Sequence, residues 1–202
     1  MLRYTTATTL LLPLFRRKLK SVTGTEYLPA AGPAILAANH IDFLDAFFIA
    51  AAVKAGAHRP LANITKTRNY WWTGASIPVG GGDRSAILTA AQQRLQRGWF
   101  ILNFVEGVRN TTNTLGSGRT GTARLAIATH LPVIPIGIRG YYSRNMNQAI
   151  ARLFTQPPSV SVHIGQPVPS PNGDPEDRAL VLQFTERIVR AVAPLASKNA
   201  PA

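Results

Sequence analysis

The sequence predicts an α/β domain whose central sheet is largely parallel and flanked by helices. Short apolar runs of strand length recur along the chain, helical stretches separate them, and no internal repeat or low-complexity segment interrupts the order. Strands that alternate with helices pair in parallel, because each crossover returns the chain to the same end of the sheet.

The elements follow in order. Tyr4–Phe15 is apolar and threonine-rich, and Arg16, Arg17, Lys18 and Lys20 come directly after it. A secretory signal carries its charge ahead of the apolar run, so residues 1–20 read instead as an interfacial helix with basic residues at the head groups. Pro13 interrupts the pattern, and a plain helix packed on the domain is the alternative. The main domain would then run over 21–197. Ala34–Asn39 is a short buried strand, and residues 43–54 are a helix apolar nearly all round. Leu61–Ile64 and Ile77–Val79 are short strands. Asp83 caps a helix over 84–97 with Ile87, Ala91 and Leu95 on one face, and Gly98 stops it. Phe100–Val105 is a buried strand. A helix over 120–130 leads into the strand Pro132–Ile138, and Val160–Ile164 alternates as a strand. The last helix takes Asp174 as N-cap, Pro175 as its first residue, and Glu176 and Asp177 in its first turn. Its apolar stripe is Leu180, Val181, Phe184, Ile188 and Val192.

Composition narrows the function. In 202 residues, 46% are hydrophobic and 15% charged, enough for a real core. Twenty-two basic residues against nine acidic ones leave a net charge of +13, which favours anionic partners. The absence of cysteine removes disulfide frameworks, thiolate zinc sites and a cysteine acyl-enzyme. No run of about 18–20 apolar residues is present to span a bilayer.

Three of the scarce acids, Asp42, Asp45 and Glu106, fall in segments that read as sites. The first segment is N-H-I-D-F-L-D at residues 39–45, between a strand and a helix. In one helix, five steps of about 100° would set His40 and Asp45 about 140° apart. His40 therefore belongs in the loop before the helix and Asp45 in its first turns. There Asp45 can accept the Nδ1 proton and leave Nε2 as a base. A capping aspartate beside an unrelated histidine is the plainer alternative, and Asp42 could equally be the cap. The second segment is N-F-V-E-G-V-R-N at 103–110, where a buried strand ends in Glu106, Gly107 and Arg109. Glycine permits close backbone approach, and arginine offers a fork for phosphate; a tight turn with a surface ion pair is the alternative. The third is I-P-V-G-G-G-D-R-S at 77–85, three glycines ahead of a helix start, which can cradle a phosphate or simply turn.

These segments, followed by G-R-T-G-T-A-R-L-A at 118–126 and L-P-V-I-P-I-G-I at 131–138, come in an order that resembles the glycerol-phosphate and lysophosphatidic acid acyltransferase family. Its first motif, Asn-His, four residues, then Asp, is matched by Asn39, His40 and Asp45. Its second ends in an arginine after a strand, as Arg84 does. Its third, Phe-Pro-Glu-Gly-Thr-Arg-Ser, is matched by Phe104, Glu106, Gly107 and Arg109. Its fourth is close to Leu131–Ile136. The resemblance spans about residues 22–168 and includes the late strand and turn at 160–169. The departures are Asp42 for a serine, Val105 for proline, Val108 for threonine, Asn110 for serine, and the glycines at 80–82.

The resemblance implies direct acyl transfer from an acyl thioester, acyl-CoA or acyl carrier protein, to a glycerol phosphate or lysophospholipid hydroxyl. No bound cofactor is implied. His40 would be the base, Asp45 would orient it, and Arg84 and Arg109 would hold the acceptor's phosphate. Gly107 would belong to the same binding segment, and Glu106 would orient the acceptor or Arg109. The place implied is an anionic membrane surface, on the cytoplasmic face of the cell membrane, without nucleic acid as a partner. Two rival readings remain: a metal-dependent hydrolase built on His40, Asp42 and Asp45, with His58, His130 or His163 as a further ligand; and a basic module in which Tyr70, Trp71 and Trp72 beside Lys66 and Arg68 stack on bases or sit at a membrane interface. Arg139, Tyr141 and Tyr142, after the fourth motif, are candidates to line the acyl or acceptor pocket.

Overall fold

A computed structural model describes residues 2–65, 75–78 and 84–201, with the side chains of residues 2–5, 7 and 84 left aside. The expected segments 66–74 and 79–83, with their aromatic residues, glycines and Asp83, lie outside the described residues.

The chain runs α1 (Leu2–Arg17), β1 (Leu19–Thr23), a 3₁₀ turn (Thr25–Tyr27), β2 (Ala34–Ala38), α2 (Asp45–Gly56), β3 (Leu61–Thr65), β4 (Ser76–Pro78), α3 (Arg84–Gln96), β5 (Phe100–Phe104), α4 (Gly121–Thr129), β6 (Val133–Arg139), α5 (Met146–Thr155), β7 (Val160–Ile164) and α6 (Arg178–Leu195). The seven strands form one sheet in the order β1-β7-β6-β2-β5-β3-β4, parallel at every pairing except β6 with β7. This is the α/β domain that the alternation of elements predicts.

Strands β2 and β5 lie at the centre, and their residues are buried on both faces. That explains why they read as unbroken apolar runs rather than as alternation. Leu36, Leu102 and Ile136 pack on one face with Phe48 of α2 and Leu153 of α5. Ile35, Ile101 and Val133 pack on the other with Ile127 of α4 and Phe184 and Ile188 of α6. Gly137 lets the end of α6 lie against β6, because a Cβ there would come within 2.1 Å of the Leu195 carbonyl carbon.

The N-terminal helix packs on α2. Phe15 stacks on Phe47 with ring centroids 5.1 Å apart and meets Phe48 edge-on at 5.1 Å. Leu12 is also buried, whereas Leu10 is 72% exposed. The chain enters the sheet at Leu19, so residues 19 and 20 continue from the helix into β1.

Two elements are absent from the sequence reading. β1 carries few apolar residues and is held by pairing with β7, a segment about 140 positions away. α5 is a short amphipathic helix whose N-cap Asn145 accepts the Gln148 N–H at 2.9 Å; that cap, with Ala149 and Leu153 four apart, was its signal. The start of the last helix also differs. Its N-cap is Asp177, which accepts from Ala179 and Leu180 at 2.9 and 3.2 Å, while Asp174 caps only the preceding turn through Glu176 N–H at 2.8 Å. Arg124 of α4 holds that turn apart from the helix by donating to the Pro175 carbonyl at 2.8 Å and pairing with Glu176 at 2.5 Å.

Candidate active site

Segments 39–45 and 103–110 meet because β2 and β5 are neighbours. Ala38 is the register partner of Phe104, so the residues that follow each strand leave the sheet side by side. Val105 N–H donates to the Ala38 carbonyl at 2.9 Å, and Asn110 N–H donates to the His40 carbonyl at 2.7 Å. On the other side, fully buried Asn39 extends the pairing toward β6: its Nδ2 donates to the Ile138 carbonyl at 3.0 Å and its Oδ1 accepts the Ile138 N–H at 2.8 Å. The segment bearing His40 is thereby tied to strands on both sides.

His40 stands in the loop ahead of α2, and Asp45 is that helix's first residue. Nδ1 of His40 and Oδ2 of Asp45 are 2.8 Å apart. The same oxygen accepts the N–H groups of Ile41 at 2.6 Å and Asp42 at 2.8 Å. Asp45 is 2% exposed. Burial pushes its carboxyl above the ordinary carboxylate value, against the opposing pull of His40 and the two backbone amides. The His40 ring lies flat on Phe104, with centroids 4.0 Å apart and planes 13° from parallel. Packing, hydrogen bonding and backbone ties thus set the imidazole in one orientation. With Nδ1 engaged, Nε2 is the nitrogen left to exchange a proton. Asp42 does not cap α2, whose N-cap position is Leu44; its Oδ1 closes the loop ahead of the helix by accepting the Leu44 N–H at 3.2 Å, while its Oδ2 is buried without a partner.

Glu106 is buried where β5 ends. Its Oε1 accepts from Asn110 Nδ2 and from the Gly116 N–H, the latter at 2.9 Å, and its Oε2 is buried without a partner. Gly107 turns the chain at φ +66, a left-handed conformation that a side chain would strain. Arg119 lies over it, 3.2 Å from where a Cβ would stand. Arg109 spreads over the Phe43 ring at 3.6 Å and donates to the Ser143 carbonyl at 3.2 Å. Of the two roles implied for Glu106, orienting Arg109 finds no bond here: Oε1 is engaged inside its own loop, and the guanidinium lies on the other segment's aromatic ring. Val108, between them, is 52% exposed. Arg84 opens α3, and its side chain lies outside the described residues.

The sequence reading also missed the C-terminal strap. Lys198 Nζ donates to the carbonyls of Asn110 at 2.7 Å and Thr112 at 2.6 Å. Asn199 exchanges backbone bonds with Asn113 and Leu115 at 2.7 and 3.0 Å. Burial lowers the Lys198 ammonium, and the nearby Glu106 and Asp45 carboxylates pull it back up. A lone lysine four residues from the end of a chain carries no local signal of such a contact.

The metal reading of His40, Asp42 and Asp45 does not hold. The Asp45 oxygen toward His40 already takes three N–H groups, and the described residues gather no group of three or more His, Asp or Glu suited to an ion. His58 is exposed in a loop, His130 ends α4 at φ 55, and His163 lies in β7.

A family model described as Acyltransferase matches residues 20–139, more than half of the chain. Among solved structures, the chain is similar to the crystal structure of the 1-acyl-sn-glycerophosphate (LPA) acyltransferase PlsC from Thermotoga maritima. The two are 19% identical, with a TM-score of 0.65 over 96% of this chain and 81% of that one. At that identity the likeness speaks for the fold. A search of curated proteins finds no match.

Proposed function

The chain belongs to the Acyltransferase family, and on that premise we propose that it moves a fatty acyl group from an acyl thioester to the hydroxyl of a lysophosphatidic acid-type acceptor. The observation that carries the reading is the His40–Asp45 bond of 2.8 Å, made by a buried carboxylate that two backbone N–H groups also hold. His40 Nε2 takes the acceptor's hydroxyl proton as that oxygen attacks the thioester carbonyl. The new C–O bond forms, the C–S bond breaks, and the proton passes to the departing thiolate. Asp45 keeps Nδ1 protonated and stabilises the imidazolium in between. Acid–base help of this kind amounts to about 10²–10⁴-fold.

Arg109 and Arg84 bind the acceptor's phosphate, and Glu106 with Gly107 shapes the loop that presents Arg109. The buried, unpartnered Oε2 of Glu106 supports a second task, accepting a hydrogen bond from a substrate hydroxyl. The donor is acyl-CoA or acyl carrier protein, both acidic and suited to a chain of net charge +13.

We place the reaction at an anionic membrane surface, on the cytoplasmic face. No helix among the described residues is long and apolar enough to cross a membrane. Contact falls to α1, with exposed Leu10, and to the basic residues that end it.

The test offers the protein an acyl thioester and a mixed lysolipid pool and identifies products by mass spectrometry. A diacyl phospholipid formed by the native chain and absent with His40→Ala supports the reading. Hydrolysis of the thioester without any acylated lipid overturns it.

A further inference from the structure

A second polar concavity lies at the sheet edge, at the end of the sheet where His40 emerges. β7 alternates: Val160, Val162 and Ile164 are buried in the core that α2 and α5 cover, and Ser161 and His163 face the other way. On that side α6 packs across β6, and β7 and β1 present polar residues. In register, Ser21 lies beside Ser161, with hydroxyls 2.9 Å apart, and Thr23 lies beside His163, its Oγ1 2.9 Å from Nδ1. A cleft of about 720 Å³ opens there, lined by Lys20, Arg139 and His163 together with Ser159, Ser161 and Tyr141.

The chemistry of this lining is one-sided. It holds three nitrogen bases and several hydroxyls, and no carboxylate. Arg139 is anchored by donating Nε to the Leu195 carbonyl at 2.8 Å and Nη2 to the Pro194 carbonyl at 3.0 Å. Two of its five N–H groups are thus used for position, and its charge has no carboxylate partner among the described residues. The hydroxyl of Ser159 is buried with no partner. A water-facing sheet face has no need of a fixed arginine beside an unpartnered hydroxyl, whereas an oxyanion with several acceptor oxygens uses both.

We infer that the cleft between β1, β7 and β6 is a phosphate-binding subsite, separate from the His40 centre, with Lys20, Arg139 and His163 as cationic contacts and Ser159 and Ser161 as hydroxyl donors. A phosphate can come from a lipid head group or from a soluble phosphorylated compound, and the chemistry is the same for both. The inference stands on the cleft alone and does not depend on the acyl-transfer reading.

Burial, and the charge of Arg139 behind it, lower the His163 imidazole below its ordinary value. A bound phosphate dianion reverses that field and raises it. His163 has Thr23 of β1 against its Nδ1 and the charge of Arg139 on β6 nearby, and Lys20 and Tyr141 line the same cleft. The imidazole proton resonances of the full chain, with His163 assigned through His163→Gln, are followed over pH with and without inorganic phosphate. The expected result is a His163 midpoint that rises with phosphate, and binding weakened about tenfold or more in Lys20→Gln, which removes one charged contact at an exposed position. Arg109→Gln leaves the His163 response in place. Displacement by vesicles containing phosphatidic acid, but not by phosphatidylcholine alone, assigns the cleft to a lipid head group; displacement by adenosine 3′,5′-bisphosphate alone assigns it to a soluble phosphate. An unmoved His163 midpoint, a Lys20→Gln variant that binds as tightly as the native chain, or a response lost with Arg109→Gln overturns the inference.

Discussion

Asp45 holds His40 with the same carboxylate oxygen, Oδ2, that accepts the N–H groups of Ile41 and Asp42, at 2.8, 2.6 and 2.8 Å. The carboxylate thus orients the ring and pins the turn that carries it. His40→Ala removes the proposed base and leaves this turn's bonds to Asp45 in place. Thiol release from an acyl thioester in the presence of acceptor is expected to fall by about 10²–10⁴-fold. A folded His40→Ala protein that still turns over would refute the assignment.

Asp45 also makes a prediction about stability against pH. Its folded carboxyl titrates above the ordinary value of 3.8 because burial outweighs its hydrogen bonds. Between those two values the folded chain binds more protons than the unfolded one, so this group makes stability fall as pH rises through that window. Its cost is fully present above the folded value and absent below the unfolded one. Asp45→Asn keeps an oxygen for the backbone N–H groups and removes the titration. Urea unfolding across the acid range should show a flatter dependence for Asp45→Asn, with activity lost throughout. An unchanged slope would mean that burial does not govern Asp45.

Arg109 lies over the Phe43 ring at 3.6 Å, a contact in which a planar guanidinium can stack and still offer a fork of N–H donors, whereas an ammonium acts only as a point charge. Arg109→Ala is expected to raise KM for a phosphorylated acceptor about tenfold or more and KM for the donor little. Arg109→Lys should restore only part of that difference. If the donor's KM rises instead, Arg109 serves the thioester.

Lys198 ties the C-terminus to the loop of Glu106, Arg109 and Asn110 through two carbonyls. Lys198→Met removes both bonds and is expected to cost about 1–2 kcal/mol in chemical denaturation. Positioning rather than bulk stability is tested by the kinetic split: acceptor KM should rise while donor KM stays, and Lys198→Arg should recover part of it. Equal changes in both would make the strap merely structural.

The element order and the two loops at the strand ends were legible because their signals are local. Ala34–Ala38 and Phe100–Phe104 are apolar at every position but Asn103, as strands buried on both faces must be. The five-residue spacing of His40 and Asp45 required a loop before a helix, and the structure has one. By contrast, Asp174 and Asp177 satisfy capping rules equally well, and Arg124, a residue of another helix, decides between them.

The sequence by itself determined the α/β class, most of the strands and helices, and the segments proposed as the site, since hydrophobic period, caps and ordered motifs act over a few residues. Only the tertiary structure decided that Ala38 and Phe104 are register partners, that Asn39 bonds to Ile138, and that Lys198 straps the loop. Those relationships join residues far apart in the chain. They exist because strands that are not consecutive pair in the sheet, and that pairing depends on how the whole core closes.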